Sequence, residues 1–183
     1  ANLFSPHRPY KPISGEADEV SDTARKLAWR NEQYRQRYNY GDIEINESVI
    51  SENRLLYDRE VAWVDENIGR MFNKLENKGL IDETVVLITG DHGELFDEPS
   101  EPPYIAHRNS LHPALIDLPL LLYHPELEPK RDSRLASQVD VAPTILDALG
   151  VISDHTEVVD KMAGYSLLGN EEHDTVFAEM GSH

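Results

Sequence analysis

The chain has 183 residues, 39% of them hydrophobic, which is enough for one domain with a real core and excludes a wholly disordered chain. Its 34 acids against 17 Lys and Arg give a formal net charge of −17 with no basic patch, which argues against nucleic acid as a partner. No apolar run approaches the roughly 20 residues of a membrane span, and the absence of cysteine excludes disulfides and thiol chemistry within this stretch.

The acids are spread along the chain, and Arg (11) outnumbers Lys (6). Two readings stay open: a surface adapted to high salt, where self-repulsion is screened, or an ordinary acidic protein, cytoplasmic or secreted. The opening ANLFSPHRPY is apolar and strand-like and has no initiator Met, so the sequence is expected to begin mid-domain, with any targeting signal upstream.

In chain order, residues 1–4 read as a strand end. They run into Ser5-Pro6-His7-Arg8-Pro9-Tyr10-Lys11-Pro12, whose three prolines preclude a helix and stiffen the loop. Residues 13–47 are polar, with a helical patch at Asp22–Tyr38, and are expected to form a peripheral excursion; 48–183 are expected to form the α/β body. From Ile50 to Lys78 the residues Tyr57, Val61, Val64, Ile68, Met71 and Leu75 recur at spacings of three and four, which predicts a helix with one apolar stripe. Gly79 should end it, and Gly69 inside it implies close packing against a neighbour.

Thr84–Thr89 is apolar on both faces, as for a central parallel strand covered on both sides; Leu118–Tyr123 is a second such strand, and Leu135–Val139 a short third. Asp140 is expected to cap a helix through Leu149, with Pro143 in its first turn and Gly150 closing it. Thr175–Ala178 reads as a last strand. Helices alternating with apolar strands predict a layered α/β domain with a mostly parallel sheet flanked by helices.

The chemistry-bearing residues gather at strand ends. Asp91-His92-Gly93 directly follows Val85–Ile88, at the edge where ligand sites of open α/β sheets collect. An Asp oxygen and a His nitrogen suit a divalent cation, and Gly93 permits the turn that aims both. The plain alternative is an Asp capping the next element beside a surface His. Glu94, Asp97 and Glu98 add acids nearby, and Glu94 or Asp97 is a candidate to complete a cation site. His7, in the stiff loop, is either a turn histidine or an anion contact or proton donor. His107 lies 15 residues beyond His92, within loop reach of the same edge; His112 beside it reads as a packing residue.

These segments together resemble the C-terminal portion of a sulfatase, a family of the alkaline-phosphatase-like superfamily. SPHRPYKP is similar to its His-x-Pro-Tyr loop, and YDREVAWVDENIGRMFNKLENKGLIDETVVLITGDHGE to its long helix, strand and metal-binding turn. HRNSLHPALIDLPLLLYHP resembles the lead into the next strand, SQVDVAPTILDALGV the following helix, and MAGYSLL a later Gly-x-Ser-Leu turn. The five occur in the family's order.

The resemblance implies an alkaline-phosphatase-like fold present as a partial domain, and a metal-dependent sulfuric ester hydrolase acting on a sulfate or phosphate ester. Asp91 and His92 match one pair of metal ligands, with Ca2+ expected first and Mn2+ or Zn2+ as alternatives. His7 and His107 match positions that contact the substrate's anionic group or assist the leaving group. Tyr57, Asp58, Glu60 and Asp65 match structural positions of the helix. The family's Cys/Ser-x-Pro-x-Arg motif, source of its formylglycine nucleophile, has no match here, nor has its first pair of acidic ligands, so both are expected outside this chain. Because many sulfatases carry Asn where His92 stands, a phosphodiesterase, phosphonate monoester hydrolase or phosphoglycerol transferase remains an alternative, as does an inactive or binding-only domain.

Overall fold

The computed structural model describes residues 6–10, 20–28, 32–98, 104–107, 110–151 and 161–179. The strand end expected over residues 1–4 lies outside them. Helices α1 (Asp22–Ala28) and α2 (Glu32–Asn39) precede the long α3 (Glu47–Asn77), and α1 packs against α3. Ser21 starts α1 by accepting from the Ala24 amide, while Glu52 of α3 accepts from both the amide and the hydroxyl of Ser21.

The main apolar cluster joins Tyr10, Val20, Ala24, Leu27, Ala28, Tyr38, Ile50, Leu56, Phe96 and Ile105. Residues from the segment read as peripheral thus supply much of the core. The α3 face that is buried is Ile50, Asn53, Leu56 and Glu60, while Val61 of the expected stripe is 42% exposed. Farther along α3, Phe72 meets Tyr123 edge to face at 5.3 Å. Helix α3 ends as expected: Gly79 has φ 65°, the left-handed conformation that Gly adopts without a Cβ clash. Gly69 is a correction. A Cβ there meets nothing within 4 Å, so close packing does not explain it.

Strand β1 (Val86–Thr89) pairs antiparallel with β4 (Leu120–Tyr123), Val86 facing Tyr123 and Thr89 facing Leu120. Strand β2 (Leu95–Phe96) pairs antiparallel with β3 (Ile105–Ala106). The mostly parallel sheet is therefore not what the described residues form: both of their strand pairs are antiparallel. An apolar run reports that a strand is covered, and it reads the same whichever way its neighbour runs.

Short helix α4 (Pro113–Ile116) leads into β4, and α5 (Val141–Ala148) follows a 3-10 turn at Gln138–Asp140. That turn replaces the strand expected over Leu135–Val139. Ser137 and Asp140 form a reciprocal cap, which curls the chain where an extended segment was expected. Asp140 does not cap α5 with its side chain, although Gly150 (φ 69°) closes that helix as expected. No strand forms over Thr175–Ala178, where Phe177 is 89% exposed. No helix among the described residues is long and apolar enough to cross a membrane.

Candidate active site

The Asp91-His92-Gly93 turn leaves β1 and enters β2, so it bridges the two strand pairs. Asp91 Oδ1 accepts from the His92 amide at 3.0 Å, which folds the turn locally. His92 Nδ1–H donates to the Gly93 carbonyl at 2.8 Å, leaving the Nε2 lone pair for a ligand. Both side chains reach solvent, at 91% and 39% exposure, and Asp91 Oδ2 lies 4.0 Å from His92 Nε2. Cation–nitrogen and cation–carboxylate distances are about 2.0–2.6 Å, so one divalent ion spans that gap. The pair fits two ligands of such an ion. Among the described residues no group of three His, Asp or Glu side chains completes a site.

Gly93 is fixed by close approach. Its amide donates to the Leu115 carbonyl at 2.9 Å, and a Cβ there would lie 1.9 Å from the Ala114 carbonyl oxygen. His112 begins helix α4, its Nδ1 accepting from the Ala114 amide, and is thus a helix cap. Gly93→Ala should force α4 off the turn and cost about 1–3 kcal/mol, as overpacking does. Urea denaturation checks this; a midpoint equal to wild type would mean that α4 yields freely.

Beneath the turn, Glu94 collects three partners. Its side chain is 6% exposed and accepts from the Tyr10 hydroxyl at 2.7 Å, Arg8 Nη2 at 3.3 Å and His107 Nδ1–H at 3.3 Å. Burial pushes the Glu94 carboxyl up, but the His107 hydrogen bond, the Arg8 charge and the Tyr10 hydroxyl outweigh it and hold the group below the usual carboxylate range. Burial and the facing Glu94 push the Tyr10 hydroxyl well up, so it stays a donor. Tyr10, Tyr57 and Phe96 support the carboxylate from the core, with ring centroids 5.3–6.1 Å apart.

The structure brings three of the expected residues together. His107 stacks on His92 at 4.1 Å between centroids, and His7 lies 6.3 Å from His107. Each donates Nδ1–H to an oxygen: His7 to the Arg8 carbonyl, His92 to that of Gly93, His107 to Glu94. Their Nε2 atoms are thereby left for ligands, and that of His92 lies 4.0 Å from Asp91 Oδ2. The other nearby acids are engaged elsewhere. Asp97, at φ 62°, accepts from Tyr38, and Glu98 pairs with Arg54 at 3.0 Å. Neither is poised to complete a cation site with Asp91.

Arg8 and Tyr10, and the organising role of Glu94, escaped sequence reasoning. The signal for them was faint: an Arg and a Tyr flank Pro9 in the stiff loop, but nothing local says that they reach a carboxylate 86 and 84 residues onward.

Comparison with known proteins bears on this arrangement. The family model described as Sulfatase matches residues 5–151, a span that includes both the histidine loop and the Asp91 turn. The chain belongs to the sulfatase family. It is 31% identical over 123 residues to arylsulfatase K of Xenopus laevis, covering 67% of this chain and 21% of that protein. It is 31% identical over 164 residues to the N-acetylglucosamine-6-O-sulfatase of Bacteroides thetaiotaomicron, covering 86% of this chain and 26% of that one. Its fold matches a solved phosphonate monoester hydrolase from Silicibacter pomeroyi with a TM-score of 0.62 at 23% identity, over 89% of this chain and 35% of that one. This sulfatase-family chain thus spans about a quarter or less of the curated relatives it matches.

Proposed function

We propose that the intact protein is a metal-dependent sulfuric ester hydrolase and that residues 1–183 are the C-terminal portion of its single catalytic domain. The observation that carries this reading is the stack of His107 on His92, which joins the candidate cation turn to two further histidines. Family membership and the named relatives support the sulfate ester as substrate class.

Asp91 and His92 would hold a divalent cation, Ca2+ before Mn2+ or Zn2+, together with ligands from outside this chain. Such an ion neutralises the ester's negative oxygens and favours attack on sulfur. Within this chain, His7 and His107, with a proton on Nε2 as well as on Nδ1, would donate Nε2–H to the sulfuryl oxygens, and one of them would pass that proton to the departing alkoxide. Glu94 keeps His107 oriented by accepting from its Nδ1–H. Attack breaks the bond between sulfur and the alkoxide oxygen; that oxygen takes the proton and leaves as an alcohol. The nucleophile, a formylglycine by family pattern, would come from outside this chain.

The test is turnover of an aryl sulfate, an aryl phosphodiester and an aryl phosphonate by the full-length protein, with and without Asp91→Ala. Expected are a preference for the sulfate and a loss of about 100-fold or more in the variant, as for removal of one electrostatic stabiliser. Preference for a phosphorus ester would move the assignment to the phosphodiesterase or phosphonate hydrolase reading. No turnover of any of them would leave a binding-only protein.

A further inference from the structure

A second constellation lies behind the metal turn, in the segment before α5. Gln138 Nε2 donates to the Gly90 carbonyl at 2.8 Å and lies 3.3 Å from that of Asp91. These two carbonyls flank the residue whose carboxylate would meet the cation. The donors are provided from across the fold, 47 and 48 residues along the chain, so the turn is tied to a separate element.

That element is itself firmly held. Gln138 begins the 3-10 turn closed by the reciprocal Ser137–Asp140 cap. Asp140 is fully buried and also accepts from the Tyr165 amide and His173 Nε2–H, both at 2.8 Å. Gly164 sits so tightly against this turn that a Cβ would lie 2.3 Å from the Val139 carbonyl oxygen. Thr144 accepts from the Leu167 amide, fixing the same stretch to α5. The anchoring therefore runs from the 164–173 segment through Asp140 to Gln138 and on to the Gly90–Asp91 backbone.

We propose that Gln138 is a positioning residue for the cation site, its amide tying the Gly90–Asp91 backbone to the anchored turn before α5 so that the Asp91 carboxylate is presented ready-made to a divalent ion. This rests on the reading of Asp91 as a cation ligand. A hydrogen-bonded partner that fixes a ligand's orientation ordinarily affects metal affinity by about 10–100-fold. Here the contact is to the ligand's backbone, and the lower end of that range is expected.

The test is Mn2+ affinity of the full-length protein, followed by the loss of the free-ion electron paramagnetic resonance signal. Wild type is compared with Gln138→Met, which keeps the length of the side chain without its donors, and with Asp91→Ala and the double variant. Thermal midpoints without metal are measured beside them. Expected is an affinity about tenfold weaker in Gln138→Met, a metal-free midpoint within a degree or so of wild type, and no further loss when Gln138→Met is added to Asp91→Ala. Unchanged Mn2+ affinity in Gln138→Met, with Asp91→Ala abolishing binding, would overturn the inference and leave the cation site standing. A loss that appears only with a matching drop in the metal-free midpoint would also overturn it, making Gln138 a stabilising contact. If Asp91→Ala binds Mn2+ as wild type does, the cation-ligand reading falls and this one with it. Should Gln138→Met fail to fold, Gln138→Leu is read by the same criteria; if that variant also fails to fold, the positioning role is rejected in favour of a structural one.

Discussion

Glu94→Ala is expected to lower the free energy of unfolding by about 3–5 kcal/mol, the usual cost of removing one partner from a buried charged network. The carboxylate stands opposite Arg8, whose side chain is 14% exposed and whose Nη1 is buried with no hydrogen-bond partner among the described residues. Without Glu94 that guanidinium loses its counter-charge, and the fully buried Tyr10 loses the acceptor of its hydroxyl. Glu94→Gln should cost less, because the amide keeps the volume and still accepts from Tyr10. Urea denaturation of the three proteins at neutral pH measures both effects. A loss under about 1 kcal/mol in Glu94→Ala, the range of an exposed ion pair, would show that water reaches these groups.

A comparable cost is expected at the other buried carboxylate. Asp140 accepts from the Ser137 and Tyr165 amides and from His173, so Asp140→Ala leaves three donors without their acceptor and should also cost about 3–5 kcal/mol. Its pH dependence carries a sign. Burial raises the Asp140 carboxyl, but the His173 hydrogen bond and the Ser137 and Tyr165 amides outweigh it and hold the group below the usual range. A carboxyl lowered in the folded state contributes stability that is complete above its unfolded value, about 3.9, and is lost as pH falls through the lower folded value. The stability gap between wild type and Asp140→Asn should hold level from neutral pH down to about 5 and shrink in stronger acid. A gap that widens on acidification would contradict the charge state given to Asp140.

Much of this site was legible in the amino-acid sequence because its signals are local. The stripe from Tyr57 to Leu75 gave away α3, and Gly79 and Gly150 marked helix ends through the left-handed conformation both adopt. The run before Asp91 marked a strand end, and His7 and His107, 100 residues apart, could be put beside it by their places after or near strands and by resemblance to a family. What stayed hidden depends on partners distant in the chain. Strand direction is a property of pairs, so Thr84–Thr89 could not disclose that β4 runs against it. Leu135–Val139 has the composition of a strand, yet the Asp140 side chain competes for the Ser137 amide and curls it. Glu94 read from the sequence as a candidate to complete a cation site; only the arrival of Arg8 and Tyr10 from the opening loop shows it as a buried hub.

The Asp91 side chain is 91% exposed, while Gly93 and Glu94 just beyond it are locked against α4 and the core. The candidate cation ligand and the residues that bear stability thus stand only a few positions apart. Mutations at the exposed tip are cheap to the fold, so under the cation role proposed for Asp91 an altered ligand preference is open to evolution in single steps. Mutations in the support beneath are not, and drift there should be purged whatever the tip binds.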